Sequence, residues 1–126
     1  MNKEGSRDEF RFLKWPIYGD AKLLVKSVFE VTEALPARHK FDLGTQLNRS
    51  ALSILLNIAE GSGKNSDVDF NHFLNIAMGS LNETMAGLDL AHDHRLLSTK
   101  EFEKLKTDLL NIGRQLGGFK KKLINK

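Results

Sequence analysis

Four stretches of this chain place apolar residues at alternating steps of four and three, a spacing that fits the period of an α-helix. The first series is Ile17, Ala21, Leu24, Val28, Val31 and Leu35. Leu47, Ala51, Ile54 and Ile58 make the second, and Phe70, Leu74, Ala77, Leu81, Thr84, Leu88 and Ala91 the third. Phe102, Leu105, Leu109, Ile112, Leu116, Phe119 and Leu123 make the fourth. A strand alternates with period two, so each series is an amphipathic helix, and no convincing strand pattern accompanies them. The punctuation agrees. Leu35-Pro36 ends the first helix, because a residue before proline is pushed out of the helical region. Gly61-Ser62-Gly63 predicts a left-handed cap after the second. Ser66 with Asp69, and Ser98-Thr99-Lys100-Glu101, predict capping boxes that open the third and fourth.

A mean step of 3.5 on all four helices means shallow crossing angles and knobs-into-holes packing. The connections, Pro36 to about Asp42, Gly61 to Asn65 and Arg95 to Leu97, are short. Short links make sequence neighbours antiparallel. The expected fold class is therefore all-α, an antiparallel up-down-up-down four-helix bundle over residues 16–126. Residues 1–15 would form an N-terminal arm, mobile or loosely docked. Gly113, Gly117 and Gly118 cost the last helix about 1 kcal/mol each against alanine. They are expected either to let helices approach closely or to let the end fray.

At 126 residues the chain is one domain. The absence of cysteine excludes disulfides, a thiol nucleophile and thiolate zinc sites. No apolar run approaches the ~18 residues of a membrane span, and the N-terminus has no apolar signal-peptide core. A cytoplasmic protein with no membrane role is expected. The net charge of +3 permits anionic partners without demanding them.

The second helix is too apolar for a solitary bundle. Beside its core stripe, Leu52, Leu55, Leu56 and Ala59 lie on an adjacent arc, which doubles the ~100° that a core-facing helix needs. Surplus apolar surface usually marks an interface, so these residues are the expected contact between copies. The remaining arc is Gln46, Arg49, Ser50, Ser53, Asn57 and Glu60, a polar ladder of amides and hydroxyls with few charges. Such groups are costly to bury unpaired and would pin one packing register. Whether they face a neighbouring subunit or water is open at this stage.

Chemical motifs are mostly excluded. Gly61-Ser62-Gly63-Lys64 hints at a phosphate loop, but Ile58 and Asn65 stand where that loop needs Gly and Ser or Thr. His92-Asp93-His94 resembles half of a helical metal site. His72, twenty residues away, is about 30 Å along the helix and cannot share its ion. No Arg has a His five to seven positions downstream, as helical ribonucleases require. No cofactor, metal or small-molecule substrate is expected, and no enzymatic activity. From Arg114 onward the tail carries Arg114, Lys120, Lys121, Lys122 and Lys126 and no acid. These cations complement the helix dipole, and repeated around an assembly of copies they would sum to a field that attracts phosphate backbones. Lys22 and Lys26, one turn apart, would extend such a surface. Without an interleaved aromatic platform, RNA contact would be backbone-dominated and salt-sensitive.

Several stretches carry a family resemblance: Val31-Thr32-Glu33-Ala34-Leu35-Pro36, then Gln46-Leu47-Asn48-Arg49-Ser50-Ala51-Leu52-Ser53-Ile54, Asn57-Ile58-Ala59-Glu60-Gly61, and Phe73-Leu74-Asn75-Ile76-Ala77-Met78-Gly79-Ser80-Leu81-Asn82-Glu83. Over about residues 17 to 123 the chain resembles the small bacterial four-helix-bundle proteins encoded by intervening sequences of large-subunit (23S) ribosomal RNA genes. It departs from their pattern at Leu35, His39, Ser50 and Tyr18, which affects local packing. The resemblance implies a homopentamer. It also implies kinship with accessory proteins of diversity-generating retroelements, which are pentameric bundles that bind nucleic acid and a reverse transcriptase. The expected function is a non-enzymatic homo-oligomeric scaffold with weak, charge-driven RNA binding. The alternative is a protein-binding adaptor with no nucleic-acid role.

Overall fold

Pro16 supplies the fixed φ that suits a first helical position, and α1 (Pro16–Glu33) begins there. The computed structural model describes residues 9–124. Three further long helices follow: α2 (Thr45–Ser62), α3 (Asp67–Asp93) and α4 (Thr99–Ile124). Both predicted N-caps form. The Asp69 N–H donates to Ser66 Oγ at 3.1 Å. At α4 the box is reciprocal: the Glu101 N–H donates to Ser98 Oγ at 3.1 Å, and Ser98 Oγ donates to Glu101 Oε1 at 3.0 Å.

Two connections differ from the sequence expectation. The link after Pro36 is helical: a turn at Ala37–His39 passes into a π-helical turn at Lys40–Gly44 that runs straight into α2. The left-handed cap at Gly61–Gly63 is absent. α2 continues through Ser62, Gly63 has φ −90°, and no glycine among the described residues has positive φ. Gly61 is needed for space, since a Cβ there would lie 2.9 Å from Phe70 Cδ1 and 3.0 Å from Phe73 Cβ. The left-handed residues are Phe10, φ 57°, before the N-terminal turn, and Arg95, φ 59°, at the end of α3. There the Leu96 N–H donates to Ala91 O and the Arg95 N–H to His92 O, a Schellman pair.

The helices pack in a four-cornered antiparallel bundle, with α1 beside α2 and α4, and α3 beside α2 and α4. Every residue of the four apolar series is buried except Phe119 and Leu123, which are half-buried at the α4 end. Polar links stitch all four edges, with Lys120 of α4 donating to Asn75 of α3 on one of them. Thr32 Oγ1 donates to Asn48 Oδ1 (2.9 Å) between α1 and α2. Asn111 and Gln115 of α4 donate to one oxygen of Asp20 in α1, at 3.0 and 2.7 Å. The α2–α3 edge carries the hydroxyls described below. A Cβ at Gly117 or Gly118 would meet nothing within 4 Å, so neither glycine serves close approach.

The described part of the N-terminal arm is docked. Arg11–Lys14 form a short 3-10 turn. Arg11 Nη2 donates to Ser62 O at 3.0 Å, which satisfies a carbonyl at the α2 C-terminus. Trp15 closes that end of the bundle, its ring 6.0 Å from Phe70 and 5.0 Å from Phe119.

Candidate interaction surfaces

The polar stripe of α2 divides in two. Ser50, Ser53 and Asn57 turn toward α3 within the same chain. Thr84, fully buried, donates to Ser50 Oγ at 2.8 Å, and Ser80 Oγ donates to Ser53 Oγ at 2.7 Å. Asn57 Nδ2 donates to Ser53 Oγ at 3.0 Å and to Ser53 O at 2.8 Å. These hydroxyls and the amide form a paired seam between two helices of one molecule. Gln46, Arg49 and Glu60 lie outside it and are exposed. Gln46 borders an apolar groove lined by Phe41, Leu43, Leu90 and Leu96, and Glu60 pairs with Lys64 at 3.8 Å. The rule that separates them is position. Ser50, Ser53 and Asn57 stand at three- and four-residue steps beside the core stripe, whereas Arg49 and Glu60 are turned further out.

The apolar arc divides as well. Leu52 and Leu55 are half-buried and pack against the core, and Leu55 shares a groove with Val25 and Phe29 of α1. Ala59 lies beside Phe10 and Phe12 of the N-terminal segment. Leu56 is uncovered, 57% exposed. The chain's own α1 and N-terminal turn therefore cover much of the surplus that sequence pattern places on α2. A second apolar strip, which the sequence pattern did not single out, lies between α3 and α4. Met78, Leu81, Met85, Leu109 and Leu110 line it, with Lys106 and Arg114 among the residues at its edge.

The cations do not form one surface. Arg114 borders the α3–α4 groove, and Lys120 donates to Asn75 of α3. Lys121 and Lys122 are exposed, and Lys126 lies outside the described residues. Lys22 and Lys26 sit on the α1–α2 groove beside Leu55, on the opposite side of the bundle from Arg114 and Lys120. Nor are they without aromatic company. Lys22 Nζ lies 5.4 Å from the Tyr18 ring centroid, Tyr18 packs edge-on against Phe12 at 4.9 Å, and Phe29 borders the same groove as both lysines. The spacing Tyr18, Lys22, Lys26, Phe29 was legible as one helix face; Phe12 joins it through the 3-10 turn.

The residues of the other sequence motifs have local partners. Lys64 of the glycine-rich turn lies over Phe73 at 4.9 Å as well as near Glu60. His92 Nε2 is 3.0 Å from Thr99 Oγ1, its ring stacked on Phe102, and His94 Nδ1 is 3.1 Å from Leu90 O. Among the described residues no group of three or more His, Cys, Asp or Glu is placed to hold a metal ion. Asp42 is held below its ordinary value, chiefly by the Leu43 N–H, with desolvation opposing it and nearby His39 adding to the lowering. Among the described residues no helix is long and apolar enough to cross a membrane.

The profile of the 23S rRNA-intervening sequence protein family matches residues 14–118. The chain is similar to a crystal structure from Bacteroides thetaiotaomicron VPI-5482, a protein with unknown function from the S23 ribosomal protein family. The two superpose with a TM-score of 0.78 at 25% identity, over 83% of this chain and 98% of that one. No curated protein matches.

Proposed function

The chain belongs to the 23S rRNA-intervening sequence protein family, and from that premise we propose that it is a non-enzymatic, cytoplasmic, homo-oligomeric scaffold, a ring of five, that holds RNA by backbone charge. The observation that carries the assembly is Leu56, 57% exposed in the middle of the α2 outer face, with Leu52 and Leu55 half-covered beside it. The groove between α3 and α4, floored by Met78, Met85 and Leu110, is a second and dissimilar apolar strip. Two unlike patches on different sides of one subunit suit a head-to-tail contact, and such contacts close into rings when the rotation permits. The acid-free tail from Arg114 onward supports the RNA half of the reading. Repeated around a ring, Arg114, Lys121 and Lys122 multiply a field that one copy supplies weakly.

The methionine-floored groove also favours a second reading, an adaptor that takes a partner helix, since flexible thioethers adapt to varied apolar surfaces. Two measurements separate the readings. Light scattering should give five times the chain mass for the parent, and Leu52→Asp with Leu56→Asp should lower it. Filter binding of RNA should weaken steeply as salt rises, and Lys121→Glu with Lys122→Glu should weaken it further without abolishing it, while leaving the mass unchanged. A monomeric parent at micromolar concentration would end the assembly proposal. A parent that retains no RNA at low salt would end the nucleic-acid half and leave the adaptor.

A further inference from the structure

The outer face of α1 combines charge with stacking surface. Tyr18, Lys22, Lys26 and Phe29 follow at steps of four, four and three, so they share one stripe. The stripe runs about 16 Å along the helix axis. Phe29 is 38% exposed, Tyr18 is half-buried, and both lysines are exposed. At the N-terminal end the stripe is prolonged by Phe12, 4.9 Å from Tyr18, and by Phe10, 6.4 Å from Phe12 and 69% exposed. Four rings and two cations thus line one side of the molecule. Their acidic neighbours are Glu9 at the Phe10 end and Glu30 and Glu33 at the Phe29 end, and none stands between Tyr18 and Lys26 on the stripe.

We propose that this stripe is a binding site for single-stranded RNA, with bases stacked on Phe10, Phe12, Tyr18 and Phe29 and phosphates paired with Lys22 and Lys26. Aromatic faces take any base, and lysines between them neutralise the backbone that joins the stacked bases. A duplex hides its base faces and cannot use the rings. The site rests on the RNA-scaffold reading and deepens it: the tail supplies long-range attraction, and α1 holds the strand.

The test is fluorescence anisotropy with a short labelled uridine homopolymer, the same-length abasic strand, and a duplex, each at two salt concentrations. The uridine strand should bind tightest. Tyr18→Leu and Phe29→Leu keep apolar bulk and should each weaken it about tenfold, with the salt slope unchanged. Lys22→Gln with Lys26→Gln should lower the slope of log affinity against log salt by about 1.4, the value for two phosphates of a single strand. Thermal melts of each variant establish that it is folded. Equal binding of the abasic strand, or leucine variants that bind like the parent, would overturn the platform. If Lys121→Glu with Lys122→Glu alone abolishes binding, the RNA reading stands and the α1 site falls. If no strand binds at low salt, both fall. A Phe29→Leu variant with altered mass and unaltered affinity would assign the face to contacts between copies, which also overturns the site.

Discussion

The two flanks of α2 invert the usual relation between polarity and burial. On the flank toward α3, Ser50 is buried, Ser53 and Asn57 are half-buried, and all three are hydrogen-bonded. On the outer flank Leu56 faces solvent and Leu52 is partly covered. The difference lies in what each flank meets. α3 presents Ser80 and Thr84, small hydroxyl residues that let the two helices approach and pair what they bury. Gly87 extends that approach, because a Cβ there would lie 2.6 Å from Leu47 Cδ2. The outer flank meets α1 only along its edge, through Leu55, and leaves Leu56 uncovered. A polar side chain with a partner is therefore core, and an apolar one without a partner is surface, whatever their hydropathy.

The largest effect is expected on the polar flank. Thr84 is fully buried, and its Oγ1 makes two contacts at 2.8 Å, to Ser50 Oγ and to Ser80 O, with one proton to give between them. Thr84→Val keeps the shape and removes both. It leaves Ser50 Oγ with its bond to Leu47 O and without its donor. The variant should lose about 1 to 3 kcal/mol in urea titrations with the m value unchanged. A loss within 0.5 kcal/mol, the ordinary range for surface substitutions, would mean that the seam is a wet surface and that the comparison fails on this side.

The bundle itself was legible because a heptad seam is a long, redundant signal: each of the four series repeats its spacing several times, and the residues it names are the ones the structure buries. The seam between α2 and α3 was half legible. A stripe of amides and hydroxyls announces that something will pair with it, but Ser80 and Thr84 lie on another helix, and Thr84 was read as an ordinary core position. Along α1 the spacing of Tyr18, Lys22, Lys26 and Phe29 is legible as one face, but Phe12 reaches Tyr18 only through a 3-10 turn that no hydrophobic period encodes. Gly61 and Arg95 show the limit of punctuation. The glycine pattern implies a left-handed cap at a position where Gly61 makes room for Phe70 and Phe73, and the left-handed residue that closes a long helix is an arginine. Part of the surplus arc of α2 is covered by α1 and the N-terminal segment, and a pattern on one helix cannot count that cover.

A smaller effect sharpens the seam into pairs. Ser80 Oγ and Ser53 Oγ are 2.7 Å apart, and Ser53 is also held by Asn57. In a double-mutant cycle, Ser53→Ala and Ser80→Ala should couple by about 0.5 to 1 kcal/mol, the scale of a neutral hydrogen bond. Additive losses would mean that the two hydroxyls bond elsewhere and that the register is set by apolar packing alone.

The smallest effect belongs to the apolar flank, and its concentration dependence is what makes it informative. Leu56 is mostly in water in the single chain, so Leu56→Gln should change the stability of dissociated protein by no more than about 0.5 kcal/mol. In an assembly the same leucine is covered, and the folded state is then favoured by mass action in proportion to the copies available. The parent's melting temperature should rise with protein concentration and that of the variant should rise less, with the two curves converging on dilution. Parallel curves at all concentrations would place the contact between copies away from Leu56. A loss on dilution as large as that of Thr84→Val would show that Leu56 is held by its own chain, and the two flanks of α2 would no longer differ in kind.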